Sequence, residues 1–278
     1  MLPQYLVREA VLRALAEDIG RGDITTDALI DAGVAASARL MAREAGIVAG
    51  LDLAAAAFRG VDSTVVFERV VEDGQSVKAG DVVARISGSA RALLSAERVA
   101  LNFMTHLSGI ATLTGLYVAA IAGSKARIVD TRKTLPGLRA FEKYAVRMGG
   151  GANHRFALDD AAMIKDNHIV AAGGIGKAIT QVRAAIGHMV KICCEVDRID
   201  QIEEALAAGV DVLLLDNMSP ATLAEAVRLI DGRAIAEASG KVSLGTVAAI
   251  AASGVDVISV GRLTHSAPAL DIALDFDA

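Results

Sequence analysis

At 278 residues with 53% hydrophobic side chains, the chain can bury a sizeable core as two modest domains or as one barrel with an appendage. Its formal net charge of -5 and pI near 5.6 exclude the domain-wide basic surface that nucleic-acid binding asks for. No apolar run approaches the roughly 18 residues of a membrane span, and Met1-Leu2-Pro3-Gln4-Tyr5 lacks the basic start of a signal peptide, so a cytoplasmic protein without a membrane partner is expected.

In chain order, Leu6, Val7, Ala10, Val11, Ala14 and Leu15 recur at helical spacing over residues 6–19, and Gly20 and Gly22 supply the stop. Ser37 to Val48 reads as paired edge strands, Leu51 to Phe58 as an Ala-rich helix and Thr64 to Val71 as an alternating strand. Asp73 to Gly88 has the turn-and-strand spacing of biotinyl and lipoyl carrier domains. The hairpin lysine that would bear the cofactor is absent, which disfavours a carrier-like module. Residues 90–122 predict a long helix with a candidate break at Ser108-Gly109, and its Arg98 reads from residue type alone as a solvated helix arginine. Cys193 and Cys194 are adjacent in an apolar segment, so they point to opposite faces of a strand and cannot readily pair.

Between Arg127 and His168 the acidic chain concentrates Arg127, Arg132, Lys133, Arg139, Lys143, Arg147, Arg155 and Lys165. Three polar words fall in this island: Asp130-Thr131-Arg132-Lys133-Thr134, Asn153-His154-Arg155 and Ile164-Lys165-Asp166-Asn167-His168. A local basic island in an acidic protein suits a small polyanion. Arg132 and Arg155 can each clamp a carboxylate through two N–H groups, and Lys133 and Lys165 add point charge. His154 fits either an anion donor or a satisfied structural group.

From residue 127 onwards, β-rich runs alternate with amphipathic helices, as in successive βα units on a parallel sheet. The runs are 127–130, 161–165, 190–196, 211–216, 233–238 and 256–260. Between them, Ile199, Ile202 and Leu206 share a helical face ended by Gly209, and Ser219-Pro220 offers an N-cap and first-turn proline to a helix striped by Leu223, Val227 and Ile230. Polar groups interrupt the runs at their C-terminal ends: Asp130 to Lys133, Lys165, Glu195, Asp216, Ser239-Gly240 and Gly261. That edge is where ligands bind in barrels and open α/β sheets alike. Glu195 and Asp216 can hold a hydrated Mg²⁺ or accept from sugar hydroxyls, and a hard cation of this kind usually accompanies phosphates. Ser239-Gly240 and Gly261 let backbone N–H groups approach a phosphate, with a following helix N-terminus expected to help.

These words, together with Leu215-Asp216-Asn217, Glu237-Ala238-Ser239-Gly240, Ser259-Val260-Gly261 and Leu263-Thr264-His265-Ser266, resemble those of the quinolinate phosphoribosyltransferases, the type II phosphoribosyltransferase family. The resemblance extends to Glu17-Asp18-Ile19-Gly20 and Gly22-Asp23-Ile24-Thr25-Thr26, and so covers essentially the whole chain. It implies an α/β protein: an N-terminal open-faced α/β sandwich over 1–110, an incomplete α/β barrel over 111–268, and a strand at about 269–278 returning to the first domain. It also implies that Arg132, His154, Arg155 and Lys165 bind quinolinate. Lys133, Glu195, Asp216, Ser239, Gly240 and Gly261 would bind phosphoribosyl pyrophosphate, with Mg²⁺ as cofactor on Glu195 and Asp216, and Thr131, Lys241, Val260 and Arg262 would be further substrate-binding residues. Lys133, Lys165, Glu195 and Asp216 would be the catalytic set. Arg98 would reach a neighbouring subunit's site in a homodimer or a higher oligomer. Lys241 departs from the family's pattern, where a small or amide residue is expected, and Arg262 looks like a substitution at a tolerant position.

The implied reaction transfers the ribosyl carbon from pyrophosphate to the pyridine nitrogen and releases the 2-carboxylate as CO₂, giving nicotinate mononucleotide for NAD biosynthesis. Two alternatives stand beside it: a paralogous transferase acting on another pyridine or similar acceptor, and a barrel lyase using Lys165 as a Schiff-base nucleophile.

Overall fold

The computed structural model describes residues 2–277; positions 1 and 278, the outer ends of the expected ranges, lie outside the described residues. The chain begins with α1 (Gln4–Ile19) and α2 (Ile24–Leu29), then β1 (Ala35–Ala42), β2 (Gly46–Ile47), α3 (Leu51–Val61), β3 (Val66–Arg69), β4 (Ser76–Val77), β5 (Val82–Ser89) and α4 (Ala90–Ala120). It continues with β6 (Arg127–Val129), α5 (Arg139–Met148), β7 (Ala162–Ile164), α6 (Asp166–Ala172), α7 (Ile175–Ala185), β8 (Ile192–Val196), a 3-10 turn at Ile199–Gln201 and α8 (Ile202–Ala207). The last elements are β9 (Val212–Asp216), α9 (Pro220–Ile230), β10 (Ile235–Ser239), α10 (Val247–Ala252), β11 (Val257–Ser259), α11 (Arg262–His265) and β12 (Ile272–Phe276).

Two compact units result. The first comprises Met1–Gly115, Pro136–Gly150 and Ser266–Ala278, and the second comprises Leu116–Leu135 and Gly151–His265. This division differs from the expected ranges in two places. The expected boundary at 110/111 falls inside α4, which runs unbroken, and α5 belongs with the first unit although it lies between two strands of the second. The candidate break at Ser108-Gly109 is a packing signal instead. Ser108 Oγ accepts a hydrogen bond from Ala49 N at 2.9 Å and is itself buried. A Cβ on Gly109 would lie 2.0 Å from the Pro268 carbonyl oxygen, so glycine permits the close approach of the returning chain without interrupting the helix. By length and mean hydropathy α4 is long and apolar enough to cross a membrane, although Arg91, Glu97, Arg98, Asn102 and His106 interrupt any continuous apolar run; 56% of its most apolar window is buried inside the protein, as in a core helix.

In the first unit an antiparallel sheet has the order β12-β1-β5-β3. The C-terminal strand pairs with β1 from Ala38↔Phe276 to Ala42↔Ile272, so the last strand returns to the first domain. Alternation along β1 buries Ala38, Leu40 and Ala42, the period-two pattern of a sheet covered on one face. Helix α3 buries Leu51, Leu53, Ala54, Ala57 and Phe58, and the Phe58 ring lies 6.1 Å from that of Phe67 on β3. Burying each of the Leu and Phe side chains contributes about 1.5–3 kcal/mol, and each Ala methyl group about 0.8 kcal/mol.

The second unit contains an all-parallel six-stranded sheet in the order β6-β11-β10-β9-β8-β7. Its first strand pairs with its last, Ile128 against Ile258, while β6 and β7 are not neighbours. An α/β barrel with one open seam has that connectivity. The strands are buried on both faces, which explains their nearly continuous apolar runs. Helix α9 starts as its sequence predicts: Ser219 Oγ accepts from Thr222 N, Pro220 occupies the first turn, and Leu223, Ala226 and Ile230 form the buried stripe. Val227 lies at the edge of that stripe.

Candidate active site

Residues from the C-terminal ends of the barrel strands and the loops that follow them line a cavity of about 760 Å³. The polar strand ends expected from sequence therefore converge. Thr131, Arg132, Lys133, His154, Arg155, Lys165, Glu195, Asp216, Ser239, Gly240, Lys241, Val260, Gly261 and Arg262 all line it. Arg98 does not; it is exposed on α4.

The first two polar words are brought together by a short parallel bridge, Val129↔Ala152, extending from β6. Ala152 N donates to Ile128 O at 2.8 Å. Asp130, fully buried, then clamps the second word: its Oδ1 accepts from His154 N at 2.9 Å and its Oδ2 from Asn153 Nδ2 at 2.6 Å. Asp130 thus holds the loop instead of facing substrate, and it presents His154 and Arg155 beside Arg132 and Lys133.

Arg155 is fixed by Nη1 donating to Ala161 O at 2.8 Å. Burial, and after it the charge of the neighbouring Arg132, pull the Arg155 guanidinium below its ordinary range. Arg132 Nε is buried without a hydrogen-bond partner. Among the described residues neither guanidinium forms an ion pair with a protein carboxylate. Two like charges are thus held together with no ion-paired carboxylate, Asp160 offsetting only part of their repulsion, an arrangement that suits an anion carrying more than one negative group.

The carboxylates lie on the strands. Glu195 on β8 and Glu237 on β10 are both in register with Leu214 on β9, and one step along, Asp216 is in register with Ser239. Lys165 Nζ sits 3.2 Å from Glu195 Oε2, and Asn217 Nδ2 donates to Asp216 Oδ2 at 2.6 Å. No cluster of three or more metal-ligating side chains occurs among the described residues. Two acidic groups on neighbouring strands nevertheless fit Mg²⁺, which keeps several waters and typically takes one or two protein carboxylates plus substrate phosphates.

Tight backbone turns close the cavity beside Asn217, Gly240 and Lys241. Asn217 (φ 54°) and Lys241 (φ 52°) adopt the left-handed region, as does Gly240 at φ 92°. A Cβ on Gly240 would lie 2.3 Å from Asn217 Oδ1 and 3.0 Å from Asn217 N, so only glycine fits here. Lys133, Lys241 and Arg262 bring cations to the cavity. Two expectations are corrected at this edge. No helix directly follows Gly240, since α10 begins at Val247, and the helix after Gly261 is the single turn α11. The helix dipole therefore adds little at this edge, where the positive groups are the side chains of Lys133, Lys241 and Arg262.

Sequence reasoning missed Met163, Leu214, Asn217, Glu237, Val242, Ser259 and His265, all of which line the cavity. Asn217, Glu237, Ser259 and His265 stood in the words that carry the resemblance without being singled out, and strand spacing offered a signal for three residues. Met163, Leu214 and Glu237 stand two residues before Lys165, Asp216 and Ser239, hence on the same strand face.

Comparison with known proteins agrees with this geometry. Residues 23–108 match the family model of the quinolinate phosphoribosyl transferase N-terminal domain, and residues 110–275 match the C-terminal domain. A probable nicotinate-nucleotide pyrophosphorylase [carboxylating] from Synechocystis sp. is 46% identical over 98% of this chain and 94% of its own length. The nicotinate-nucleotide pyrophosphorylase [carboxylating] of Mycobacterium leprae is 46% identical over 96% of both chains. The solved structure of the nicotinate-nucleotide pyrophosphorylase from Francisella tularensis superposes with a TM-score of 0.96 at 39% identity, covering 100% of this chain and 98% of that one. With both family domains matched in order along one chain, and with the residues that carry the resemblance converging on one cavity, the chain belongs to the quinolinate phosphoribosyl transferase family.

Proposed function

We propose that this cavity transfers the phosphoribosyl group of phosphoribosyl pyrophosphate to quinolinate and releases CO₂, pyrophosphate and nicotinate mononucleotide, a step of NAD biosynthesis. The observation that carries this reading is the pair Arg132 and Arg155, two adjacent guanidiniums with no ion-paired protein carboxylate. A pyridine dicarboxylate supplies the two negative groups that such a pair calls for, and a planar acid matches the planar fork of each arginine.

The remaining residues divide the work by charge. Lys133, Lys241 and Arg262, with the loop N–H groups near Gly240 and Gly261, face the phosphates and stabilise the departing pyrophosphate. Glu195 and Asp216 face the ribose, whose anomeric carbon gains positive charge as the C–O bond breaks. The pyridine nitrogen donates its lone pair to that carbon. Once the nitrogen is quaternary, the ring accepts the electron pair left when the C2–carboxylate bond breaks, and a proton replaces the lost CO₂. The protein aligns two anions that repel each other in water. Glu195 and Asp216 would hold Mg²⁺ together with the pyrophosphate oxygens, where the ion supplies Lewis-acid neutralisation of the leaving group.

The proposed working unit is a cytoplasmic homodimer in which Arg98 reaches the site of the other subunit. Quinolinate as acceptor is favoured over another pyridine by the paired arginines. The Schiff-base reading of Lys165 is disfavoured because its amine is engaged by Glu195 at 3.2 Å. The deciding experiment supplies quinolinate, phosphoribosyl pyrophosphate and Mg²⁺ to the purified protein and measures CO₂ and nicotinate mononucleotide together. Equimolar formation of both is expected, as is loss of turnover in excess EDTA. Borohydride-trapped substrate on Lys165, with no nucleotide formed, would establish the lyase instead.

A further inference from the structure

Glu237 has no part in the chemistry described so far. It lies on β10, lines the cavity and is only 3% exposed. A carboxylate buried this deeply ordinarily has a cation or several donors around it. Among the described residues Glu237 has neither: Oε1 is covered and accepts no hydrogen bond, and no lysine or arginine comes within ion-pair distance. His154 Nε2 stands 3.4 Å from Oε1, outside hydrogen-bond geometry.

This uncompensated group sits at the end of the cavity that holds the paired arginines. Glu237 shares a strand level with Leu214 and Glu195, one step below Asp216 and Ser239. Cys193, buried on β8, feels both charges that matter: burial first and then Glu237 push its thiol up, while Arg155 pulls it down. One side chain within the field of both puts the carboxylate near the guanidinium pair, and so near any anion that the pair holds.

The charge of the acceptor changes as it reacts. Quinolinate enters with two negative charges. Its nitrogen lone pair forms the bond to the ribosyl carbon as pyrophosphate leaves, and the new ring cation reduces the net charge to one negative. The C2–carboxylate bond then breaks, CO₂ departs, and the electron pair left on the ring takes a proton from water, so that the ring and its remaining carboxylate become neutral overall. Repulsion from a fixed carboxylate nearby is therefore strongest in the bound substrate and weakens toward product. A contact that is less unfavourable in the transition state than in the bound substrate speeds the bound complex.

We propose that Glu237 is a catalytic residue acting through uncompensated charge: it opposes the bound dianion and is relieved as the pyridine ring becomes positive. The inference rests on the quinolinate reading given above for its kinetic consequence, while its charge preference is readable without turnover.

The test is a ladder of three ligands measured by calorimetry without phosphoribosyl pyrophosphate. Benzene-1,2-dicarboxylate carries two negative charges, nicotinate carries one, and N-methylnicotinate is neutral overall because its ring is a cation. Glu237→Gln removes the charge at the same shape. Glu237→Met removes it with an apolar chain, in case an amide without partners costs the fold, and Glu237→Asp keeps it. Both neutral variants should bind the dicarboxylate about 10- to 100-fold tighter than wild type, nicotinate tighter by a smaller factor, and N-methylnicotinate no tighter, the order that a lost Coulomb repulsion sets. Glu237→Asp should stay close to wild type on all three. With quinolinate and saturating donor, the neutral variants should show a lower KM and a roughly tenfold slower single turnover to CO₂, the mark of ground-state opposition removed. Equal shifts for the three ligands, no shift in any, an Asp variant that behaves like Gln and Met, a raised quinolinate KM, or an undiminished single turnover would each overturn the proposal. Wild-type protein that turns over no quinolinate while the ladder holds would sink the substrate reading and leave Glu237 as the charge selector of the cavity. Turnover of quinolinate with a flat ladder would sink the role of Glu237 alone.

Discussion

Replacing Arg155 by alanine tests the two-guanidinium receptor directly. Removing one member of a desolvated charge pair typically costs about 2–5 kcal/mol. Two features place Arg155 at the low end of that range. It is only partly buried, and Arg132 remains against the same anion while its repulsion from Arg155 disappears. A loss of roughly 2–3 kcal/mol corresponds to about 30- to 150-fold in kcat/KM for quinolinate, at about 1.4 kcal/mol per tenfold. Nicotinate, with one carboxylate, leaves one cation unused even in the wild type. Arg155→Ala should therefore cost nicotinate less than about tenfold, and the preference for quinolinate should shrink accordingly. Arg155→Lys should fall between, because it restores charge without the planar fork. The assay is initial-rate nucleotide formation at varied acceptor and saturating phosphoribosyl pyrophosphate. Equal losses for both acceptors, or an unchanged quinolinate KM, would refute the receptor.

Three other outcomes are expected. Gly240→Ala should destabilise the protein by about 1–3 kcal/mol and raise the KM for phosphoribosyl pyrophosphate, because its methyl group would collide with Asn217 Oδ1 in a left-handed turn; a wild-type melting temperature and KM would count against a strict glycine requirement. Tyr144 donates to Asp73 Oδ2 at 2.7 Å, and burial followed by that hydrogen bond raises its phenol well above the ordinary range; a folded-state value above the unfolded one gives stability fully present below about pH 10 and lost as pH rises further. Tyr144→Phe should lower the melting temperature at neutral pH and flatten its alkaline decline, and an undiminished alkaline decline would show that other groups cause it. For the shared site, Arg98→Ala and Lys165→Ala should each be nearly inactive, while a random mixture of the two should recover activity at roughly a quarter of all sites in a two-fold assembly; no recovery after demonstrated subunit exchange would leave Arg98 serving its own chain.

The sequence was most legible where one residue type had one physical use. Ser219-Pro220 capped α9 as read, and the nearly continuous apolar runs of the barrel strands matched their burial on both faces. Strand-end charges were legible as well, because a polar group that ends an apolar run has to meet solvent or a ligand. The illegible features depended on contacts distant in sequence. Ser108-Gly109 carries a helix-breaking composition, but its reason is the chain at Ala49 and Pro268, which no local window contains. The placement of α5 with the first unit was hidden for the same reason, since it interrupts a run of βα units without any change in composition. Asp130 looked like a ligand group and proved to be the clamp on Asn153 and His154. At a strand end the same carboxylate chemistry serves either use, and only the partner decides.

The order of charges along the strands explains why one cavity can seat two anions. At the level of Leu214 stand Glu195 and Glu237, and the next inward-facing level holds Asp216 and Ser239. Arg132, Lys133, Lys241 and Arg262 come only after the strands end. Acidic groups therefore occupy the sheet and basic groups the loops, a separation imposed by parallel register and not by any pair of neighbours in sequence. In the proposed function a phosphoribosyl donor would meet both layers at once, its phosphates against the loops and its ribose against the strand carboxylates. Positive charge that develops on the ribose carbon is then stabilised on one side while negative charge leaves on the other. Reversing that order would place carboxylates against the pyrophosphate and cations against the oxocarbenium-like carbon, raising the barrier at both ends of the breaking bond. The segments after the barrel strands therefore carry the cations that matter, and of the basic island only Arg132, Lys133, Arg155 and Lys165 line the cavity, while Arg127 lies on β6 and Arg139, Lys143 and Arg147 on α5.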